Sequence, residues 1–139
     1  MFVSGFTFIN QAIRFDYPIV EAIQSILPLC DEVIVAVGDA KDGTRELIQS
    51  MSSEKIRIID TVWDPTLREG GRVLAAETDK AYAAISEDAD WAIYIQGDEV
   101  LHEDDLPNIR QAMIDHLEDF EVDGLLFNYR HFYGSYDYV

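Results

Sequence analysis

The sequence predicts an α/β fold with a mostly parallel central sheet. Short β-prone apolar runs alternate with segments whose apolar residues recur every three or four positions. Strands that alternate with helices in this way favour a parallel sheet with right-handed crossovers. The run DWAIYIQGDEVL, residues 90–101, is apolar until it ends abruptly in polar residues, which is typical of a strand covered on both faces.

The first half of the chain alternates two strands with two helices. Residues 2–9 predict an apolar strand, residues 10–16 a polar loop, and residues 32–37 a short β-branched strand. The helix between the strands begins at Pro18, a residue that the first turn of a helix tolerates, and Asp16 is its candidate cap. A second helix follows residues 32–37. Each helix has a buried apolar stripe, formed by Ile19, Ile23, Ile26 and Leu27 in the first and by Leu47, Ile48 and Met51 in the second.

The second half continues the alternation. Residues 55–63 predict a third strand, residues 72–85 a helix, and residues 91–95 a fourth strand. A further helix starts near residue 102 with three acids that suit the helix dipole, and residues 124–132 predict a fifth strand. The stripe of that helix is Leu106, Ile109, Met113 and Leu117. This order of elements predicts a Rossmann-like sheet.

Composition limits the partners of the chain. Its 139 residues are 48% hydrophobic and 27% charged, which fits one globular domain. Ten basic residues against 27 acidic ones give a net charge of −17, which repels nucleic acid and anionic membrane surfaces. An anionic small ligand would therefore need local help from a metal ion, from arginines or from helix N-termini.

The sequence also predicts a cytoplasmic protein without an integral membrane segment. Cys30 is the single cysteine, so neither an internal disulfide nor a cysteine metal cluster can form. The first residues, MFVSGFTFI, lack the charged start and small-residue cleavage site of a secretion signal. No apolar run reaches the length of a membrane span.

The QGDE sequence of residues 96–99 is the first candidate site. Asp98 and Glu99 follow the fourth strand, at the sheet edge where open α/β sheets bind ligands. Paired carboxylates there can hold a hard divalent cation, which can bridge nucleotide phosphates. The alternative is a solvated acidic turn. We favour a ligand role for Asp98, whereas Glu99 faces the other way and fits a residue that braces the loop.

Two further loops carry candidate ligand contacts. In GDAKDGT, Asp42 fits a helix-capping turn, and Asp39 leaves the second strand where it could hydrogen-bond a base or ribose. In LREGGR, two glycines allow close backbone approach, and Arg68 and Arg72 could clamp a diphosphate. Solvated surface arginines explain LREGGR equally well. Neither loop has the spacing of a Walker or GxGxxG phosphate cradle.

Taken together, the segment YPIVEAIQSILPLCDEVIVAVGD, the DAKDGT loop and QGDE resemble glycosyltransferase family 2. The resemblance implies a GT-A three-layer sandwich with a mostly parallel sheet, and transfer of a sugar from a nucleotide-diphosphate donor to an acceptor that the sequence does not identify. It implies that Asp98 binds Mn or Mg, with Gln96 in place of the motif's first acid. It places Gly5, Thr7, Asp39 and Asp42 in the nucleotide-binding region.

The resemblance also predicts what residues 1–139 comprise: a single nucleotide-sugar-binding domain, truncated at its C-terminal end. In inverting members the catalytic base lies downstream of the metal motif, so the catalytic residues stay unassigned, although His131 and Asp137 are conceivable bases. Glu77 and Thr78 stand near the position of the family's Arg-Asn pair. The aromatic end FNYRHFYGSYDYV either closes over the sheet or is covered by a following segment.

Two other functions remain open from the sequence. A sugar nucleotidyltransferase shares this kind of sheet, but it needs a glycine-rich basic loop after the first strand, where this chain has FTFINQAIRFD. A non-catalytic Rossmann-like module could use the exposed aromatic end as a protein interface. Such an interface would allow homo-oligomers to form.

Overall fold

The computed structural model describes residues 1–67, 69–135 and 137. Its four strands form one sheet in the order β3-β2-β1-β4, and every neighbouring pair is parallel. The strands are β1 (Val3–Ile9), β2 (Glu32–Val37), β3 (Ile56–Asp60) and β4 (Trp91–Tyr94). The helices are α1 (Ala12–Phe15), α2 (Ile19–Ile26), α3 (Thr44–Gln49), α4 (Arg72–Tyr82) and α5 (Leu106–Asp115). The predicted α/β class is confirmed.

Helices cover both faces of the sheet, because alternate strand residues point to opposite sides. The larger core lies under α2, α3 and α5, and the smaller one lies under α4. Three isoleucines of α2 are fully buried in the larger core, and each contributes about 1.5–3 kcal/mol through burial. The fully buried isoleucines are Ile19, Ile23 and Ile26. Phe6, Ile34, Ala36 and Ala81 form the smaller core.

Gly5 lets α2 approach the middle of β1. A Cβ atom at Gly5 would lie 2.8 Å from Ile26 Cδ1, 3.0 Å from Cys30 Sγ and 3.1 Å from Val33 Cγ2. These separations are shorter than the contact distance of about 3.5–4.0 Å between carbon atoms. The sheet therefore needs a residue without a side chain at position 5.

The segment between β1 and α2 differs from the prediction. A single turn of helix, α1, stands where the sequence predicts a loop, and Gln11 and Asp16 at its two ends adopt left-handed backbone angles, with φ of 54° and 55°. Asp16 ends α1 and does not cap α2, which begins after Pro18 without a side-chain cap. The Asp16 cap prediction is therefore wrong, because the residue is used to terminate the preceding turn.

The predicted fifth strand is absent. Residues 122–132 have no regular structure, and in the described part of the C-terminal segment the one β contact is a bridge between Tyr133 and Ser135. A strand requires a partner edge, and the aromatic, β-prone composition of this segment does not supply one. Phe120 is 92% exposed and Leu126 is 99% exposed, so these side chains do not close over the sheet. Leu125 does pack against the larger core.

No helix within the described ranges is long and apolar enough to cross a lipid bilayer.

Candidate active site

The strand order creates a crevice at one edge of the sheet. From β1 the chain adds β2 and then β3 on one side, and it later adds β4 on the other side. In open α/β sheets, ligands bind outside the carboxyl ends of the strands at such a switch in order. Here that position lies between the ends of β1 and β4, which pair from Val3 with Trp91 to Phe6 with Tyr94.

A cavity of about 230 Å³ occupies this position, and we call it the edge cleft. The end of β1 and the loop after β4 form two of its walls, and residues from the α1–α2 connection, the segment after β3 and the first turn of α4 complete it. The lining residues are Phe8, Ile9, Asn10, Tyr17, Trp63, Leu74, Gln96, Gly97 and Asp98.

Two predicted site residues, Gln96 and Asp98, meet in the edge cleft. Both are exposed, and their side chains form no hydrogen bond or ion pair with any residue in the described ranges. Glu99 has the bracing role predicted for it, because its Oε2 accepts a 2.9 Å hydrogen bond from the amide of Gln96. Gly97 keeps the loop against β1, since a Cβ there would lie 2.9 Å from Ile9 Cδ1.

The donor set of the edge cleft suits a divalent cation that shares its shell with a ligand. The described residues contain no group of three or more His, Cys, Asp or Glu side chains that could hold a metal. The cleft itself offers the Asp98 carboxylate and the Gln96 amide oxygen. Mg²⁺ is usually bound by one or two carboxylates together with substrate phosphates. These residues therefore fit a cation completed by phosphate oxygens, and they do not form an all-protein cage.

Arg72, predicted to contact a ligand, is exposed at the start of α4 and is not among the residues that line the edge cleft. Gly70 and Gly71 have φ of 62° and 71°, conformations that glycine adopts without strain. No side chain caps the helix, but the amides of Arg72 and Val73 already donate to the carbonyls of Glu69 and Leu67, so the first turn leaves little for an anion to bind. The Arg72 guanidinium has no hydrogen bond or ion pair in the described part of the chain. Arg68 lies outside the described residues, so its predicted role stays a prediction.

A buried carboxylate ties α4 to the end of β3. Glu77 is fully buried, and its Oε2 accepts a 2.5 Å hydrogen bond from the hydroxyl of Thr61. Lys80 donates to Glu77 Oε1 at 2.5 Å and to the carbonyl of Val62 at 3.2 Å. The contacts of Glu77 with Thr61 and Lys80 fix the position of α4 along the strands, and therefore the position of its first turn. Sequence reasoning noticed Glu77 only as a departure from the family pattern.

Three residues missed from the sequence meet beside the ends of β1 and β2. A Cβ atom on Gly38 would lie 2.7 Å from Trp63 Nε1 and 2.8 Å from Asn10 Cγ. Trp63 follows β3, and its ring contacts Phe8 with centroids 6.0 Å apart. The signal available in the sequence was a tryptophan at the end of the predicted third strand, at the edge where ligands bind.

Gly5 and Thr7 need a correction, because they do not reach the edge cleft. Both are buried within β1; Thr7 is 0% exposed, and Gly5 is enclosed by Ile26 and Cys30. They belong to the interior of the sheet, four and two residues before the end of β1 at Ile9. The prediction that they contact substrate conflicts with this placement, because a ligand cannot reach a fully buried side chain.

Asp42 and Asp39 differ in what they can offer a ligand. Asp42 Oδ1 accepts from the amide and hydroxyl of Thr44, and Oδ2 accepts from the amide of Arg14 at 2.9 Å. Partial burial raises the pKa of Asp42, but these hydrogen bonds outweigh it and hold the pKa below its usual value. Asp42 therefore anchors the loop. Asp39 is exposed beside Gly38 and is not among the cleft-lining residues.

The two conceivable bases also lie outside the residues that line the edge cleft. His131 is exposed and contacts the ring of Tyr129, with centroids 4.7 Å apart. The backbone amide of Asp137 donates to the hydroxyl of Ser135. The structure therefore adds no support for a catalytic role of either residue.

Solved structures similar to this chain share its fold. S. aureus TarS 1-349 matches with a TM-score of 0.62, and the same protein in complex with UDP matches with a TM-score of 0.61. Each match is 14% identical and covers 84% of this chain. The likeness shows that this chain has the GT-A-like fold expected from its sequence.

The chain spans about a third of the length of these structures, 33% in each case. No protein-family model matches the chain. A search among curated proteins gives no match either.

Proposed function

We propose that this chain is the donor-binding part of a glycosyltransferase that transfers a sugar from a nucleotide diphosphate to an acceptor. The observation that carries the proposal is the edge cleft, where an unpaired Asp98 carboxylate lies at the switch point of a GT-A-like sheet. The similar TarS structure in complex with UDP supports a nucleotide as the ligand. Fold alone does not fix function, so the proposal depends on the residues of the cleft.

Asp98 and Gln96 would hold Mn²⁺ or Mg²⁺ through the carboxylate and the amide oxygen. When bound, such an ion neutralises negative charge that develops on a departing diphosphate. With one carboxylate from the protein, most of the remaining ligands would come from phosphate oxygens and water. Metal and nucleotide should therefore bind together, each increasing the affinity for the other.

Arg72, at the start of α4, would contact the diphosphate. The net charge of −17 repels an anion from most of the surface, so binding requires positive groups at the cleft itself. The Arg72 guanidinium, which has no hydrogen bond or ion pair in the described part of the chain, would supply that charge. The buried Glu77 fixes the position of α4 through its contact with Thr61.

Calorimetric titration tests the proposal. UDP and GDP are titrated with and without Mn²⁺ into wild type, Asp98→Asn and the matched control Asp123→Asn, which removes an exposed carboxylate elsewhere. We expect wild type and the control to bind one of the nucleotides only when Mn²⁺ is present. Asp98→Asn should bind it at least about tenfold more weakly, because one charge-assisted contact contributes roughly 1.5–3 kcal/mol.

The outcomes separate the parts of the proposal. If wild type, verified as folded, binds neither nucleotide under any condition, the donor site is refuted. If a nucleotide binds equally well without Mn²⁺ and to Asp98→Asn, the cleft binds nucleotide but the metal role of Asp98 is wrong.

A non-catalytic interaction module is the second candidate. Exposed apolar side chains in the C-terminal segment favour it, with Phe120, Leu126 and Tyr133 at 92%, 99% and 88% exposure. It predicts self-association that Phe120→Ser and Leu126→Ser abolish in light scattering. A monomer at all concentrations would remove the self-association part of this alternative.

A further inference from the structure

The sequence contains two Asp-Gly steps, and their surroundings in the structure differ. They are Asp42–Gly43, before α3, and Asp123–Gly124, after α5. In an Asp-Gly step the amide nitrogen of the glycine can attack the preceding side-chain carboxyl group, since glycine has no Cβ to obstruct the approach. The reaction requires a carboxyl group that can leave its partners and a backbone that can bend. The surroundings therefore decide which of the two steps reacts.

Hydrogen bonds hold Asp42 away from this reaction. Its Oδ1 accepts from the amide and the hydroxyl of Thr44 at 3.1 and 2.7 Å, and its Oδ2 accepts from the amide of Arg14 at 2.9 Å. Partial burial raises the pKa of Asp42, but the hydrogen bonds outweigh it, so less of the neutral acid, the form that can lose water, is present. Gly43 is fixed directly before α3, with φ of 90°. Ring closure at this step would have to break three hydrogen bonds.

Asp123 has none of these restraints. Its carboxylate forms no hydrogen bond or ion pair with any residue in the described ranges, and the amide of Gly124 donates to no group there. Both residues are exposed, and residues 122–132 have no regular structure. A Cβ atom on Gly124 would meet nothing within 4 Å. Neither hydrogen bonding nor packing therefore keeps the carboxyl group and the amide apart.

We propose that Asp123–Gly124 is a site of spontaneous modification, at which the aspartate converts to isoaspartate while Asp42–Gly43 stays intact. The Gly124 nitrogen forms a bond with Cγ of the protonated Asp123 carboxyl group, and the amide hydrogen and the carboxyl hydroxyl group leave as water. The product is a cyclic imide. Water then opens the ring at either carbonyl carbon, and opening at the main-chain carbonyl leaves Gly124 attached through Cγ. No oxidant, reductant or co-reactant other than water takes part.

The modification lengthens the main chain at the start of the C-terminal segment. An isoaspartate linkage inserts the Cβ atom of Asp123 into the backbone and leaves the α-carboxylate free, so the net charge is unchanged. Leu125, two residues further on, packs against the larger core, so the extra backbone atom lies next to a contact that holds this segment to the core. The free α-carboxylate is the group that isoaspartyl methyltransferases esterify with the methyl group of S-adenosylmethionine. The modified chain is therefore a substrate for that class of enzyme.

Peptide mapping after incubation tests the proposal. Folded wild type is kept at neutral pH, and samples are digested with a protease that cuts after arginine, which places the two steps in separate peptides, residues 15–45 and 111–130. Isoaspartate is quantified by enzymatic methyl transfer and is localised within each peptide by electron-transfer fragmentation. We expect it to form at Asp123 at least about tenfold faster than at Asp42, because three hydrogen bonds at Asp42 must break first. In urea that unfolds the chain, the two rates should become similar.

Gly124→Ala is the matched variant. It keeps the carboxylate and obstructs the attacking nitrogen with a Cβ atom that meets nothing within 4 Å, so the fold should be unchanged while most of the isoaspartate in 111–130 is lost. The calorimetric control Asp123→Asn forms the same ring with loss of ammonia, so it is used freshly purified. Equal rates at Asp42 and Asp123 in the folded chain would overturn the proposal, because the local sequence alone would then set the rate. A folded wild type without isoaspartate in 111–130, or a signal there that Gly124→Ala leaves unchanged, would also overturn it.

Discussion

Gly5 offers the sharpest test of the structure, because the sequence suggested a substrate contact there and the structure shows a packing role. In Gly5→Ala the new methyl group would lie 2.8 Å from Ile26 Cδ1 and 3.0 Å from Cys30 Sγ. Ile26 is fully buried and Cys30 is 2% exposed. Neither side chain can move into solvent, so the core must shift to accept the methyl group.

The expected cost follows from these contacts. Overpacking a core costs about 1–3 kcal/mol, and replacing glycine in a strand recovers roughly 0.5–1 kcal/mol of that. We expect Gly5→Ala to lower the free energy of unfolding by about 0.5–2 kcal/mol. Ile26→Val alone should cost about 0.5–1.5 kcal/mol. Since Ile26→Val removes the very methyl group that the new Cβ would meet, the double variant should be more stable than the sum of the singles predicts.

Urea denaturation of the four proteins measures this coupling. We expect an interaction energy of about 1 kcal/mol in favour of the double variant. Additivity within about 0.5 kcal/mol would refute the packing argument. Nucleotide affinity is measured on the same proteins at a temperature where all of them are folded. A specific loss of affinity in Gly5→Ala without a loss of stability would restore the substrate role.

Three further predictions concern buried or hydrogen-bonded groups. Glu77→Gln should destabilise the fold by about 1–3 kcal/mol, because it weakens the charge-assisted hydrogen bond from Lys80. The control Asp79→Asn, on the exposed side of the same helix, should leave the stability unchanged. Equal losses of stability in the two variants would contradict the role of Glu77. The pKa of Asp42 lies below its ordinary value of 3.8, so its stabilising effect is present above that pH and is lost as the pH falls through the lower folded value. The stability difference between wild type and Asp42→Asn should therefore stay constant above about pH 5 and shrink as the pH falls below about 4, as urea midpoints would show. Burial raises the pKa of the Cys30 thiol to about 12, so a thiol reagent at about pH 8 should react only with unfolded protein; rapid labelling of the native chain would be inconsistent with its burial.

The sequence predicted the four strands and their parallel arrangement because each strand is a short β-prone segment rich in apolar residues, and the strands alternate with helices. Residues 32–37 were predicted as a strand with the bounds of Glu32–Val37, and residues 91–95 differ by one residue from Trp91–Tyr94. Residues 124–132 have similar β propensity but form no strand. Propensity describes the segment alone, whereas a strand also needs an edge to pair with, which the sequence does not encode locally.

The candidate site was predictable only where it follows directly from a strand end. Asp98 and Gln96 were found because they come straight after an apolar run. Asn10 and Trp63 were missed, since their place in the edge cleft comes from packing that only the structure reveals. Gly5 was assigned to the site by family resemblance, but its contacts with Ile26 explain it as a packing residue.

The pairing of β1 with β4 has a consequence for how the chain folds. The amide of Phe2 bonds to the carboxylate of Asp90, 88 residues away, whereas β1 meets β2 after a short connection. Contacts between distant segments form late, because closing the long loop costs entropy before the contact contributes any favourable free energy. The β1–β2–α2 unit should therefore assemble first, and β4 should complete the sheet last. During synthesis the edge cleft cannot exist until Asp98 has left the ribosome, so ligand binding would report the completed fold and stabilise its final step.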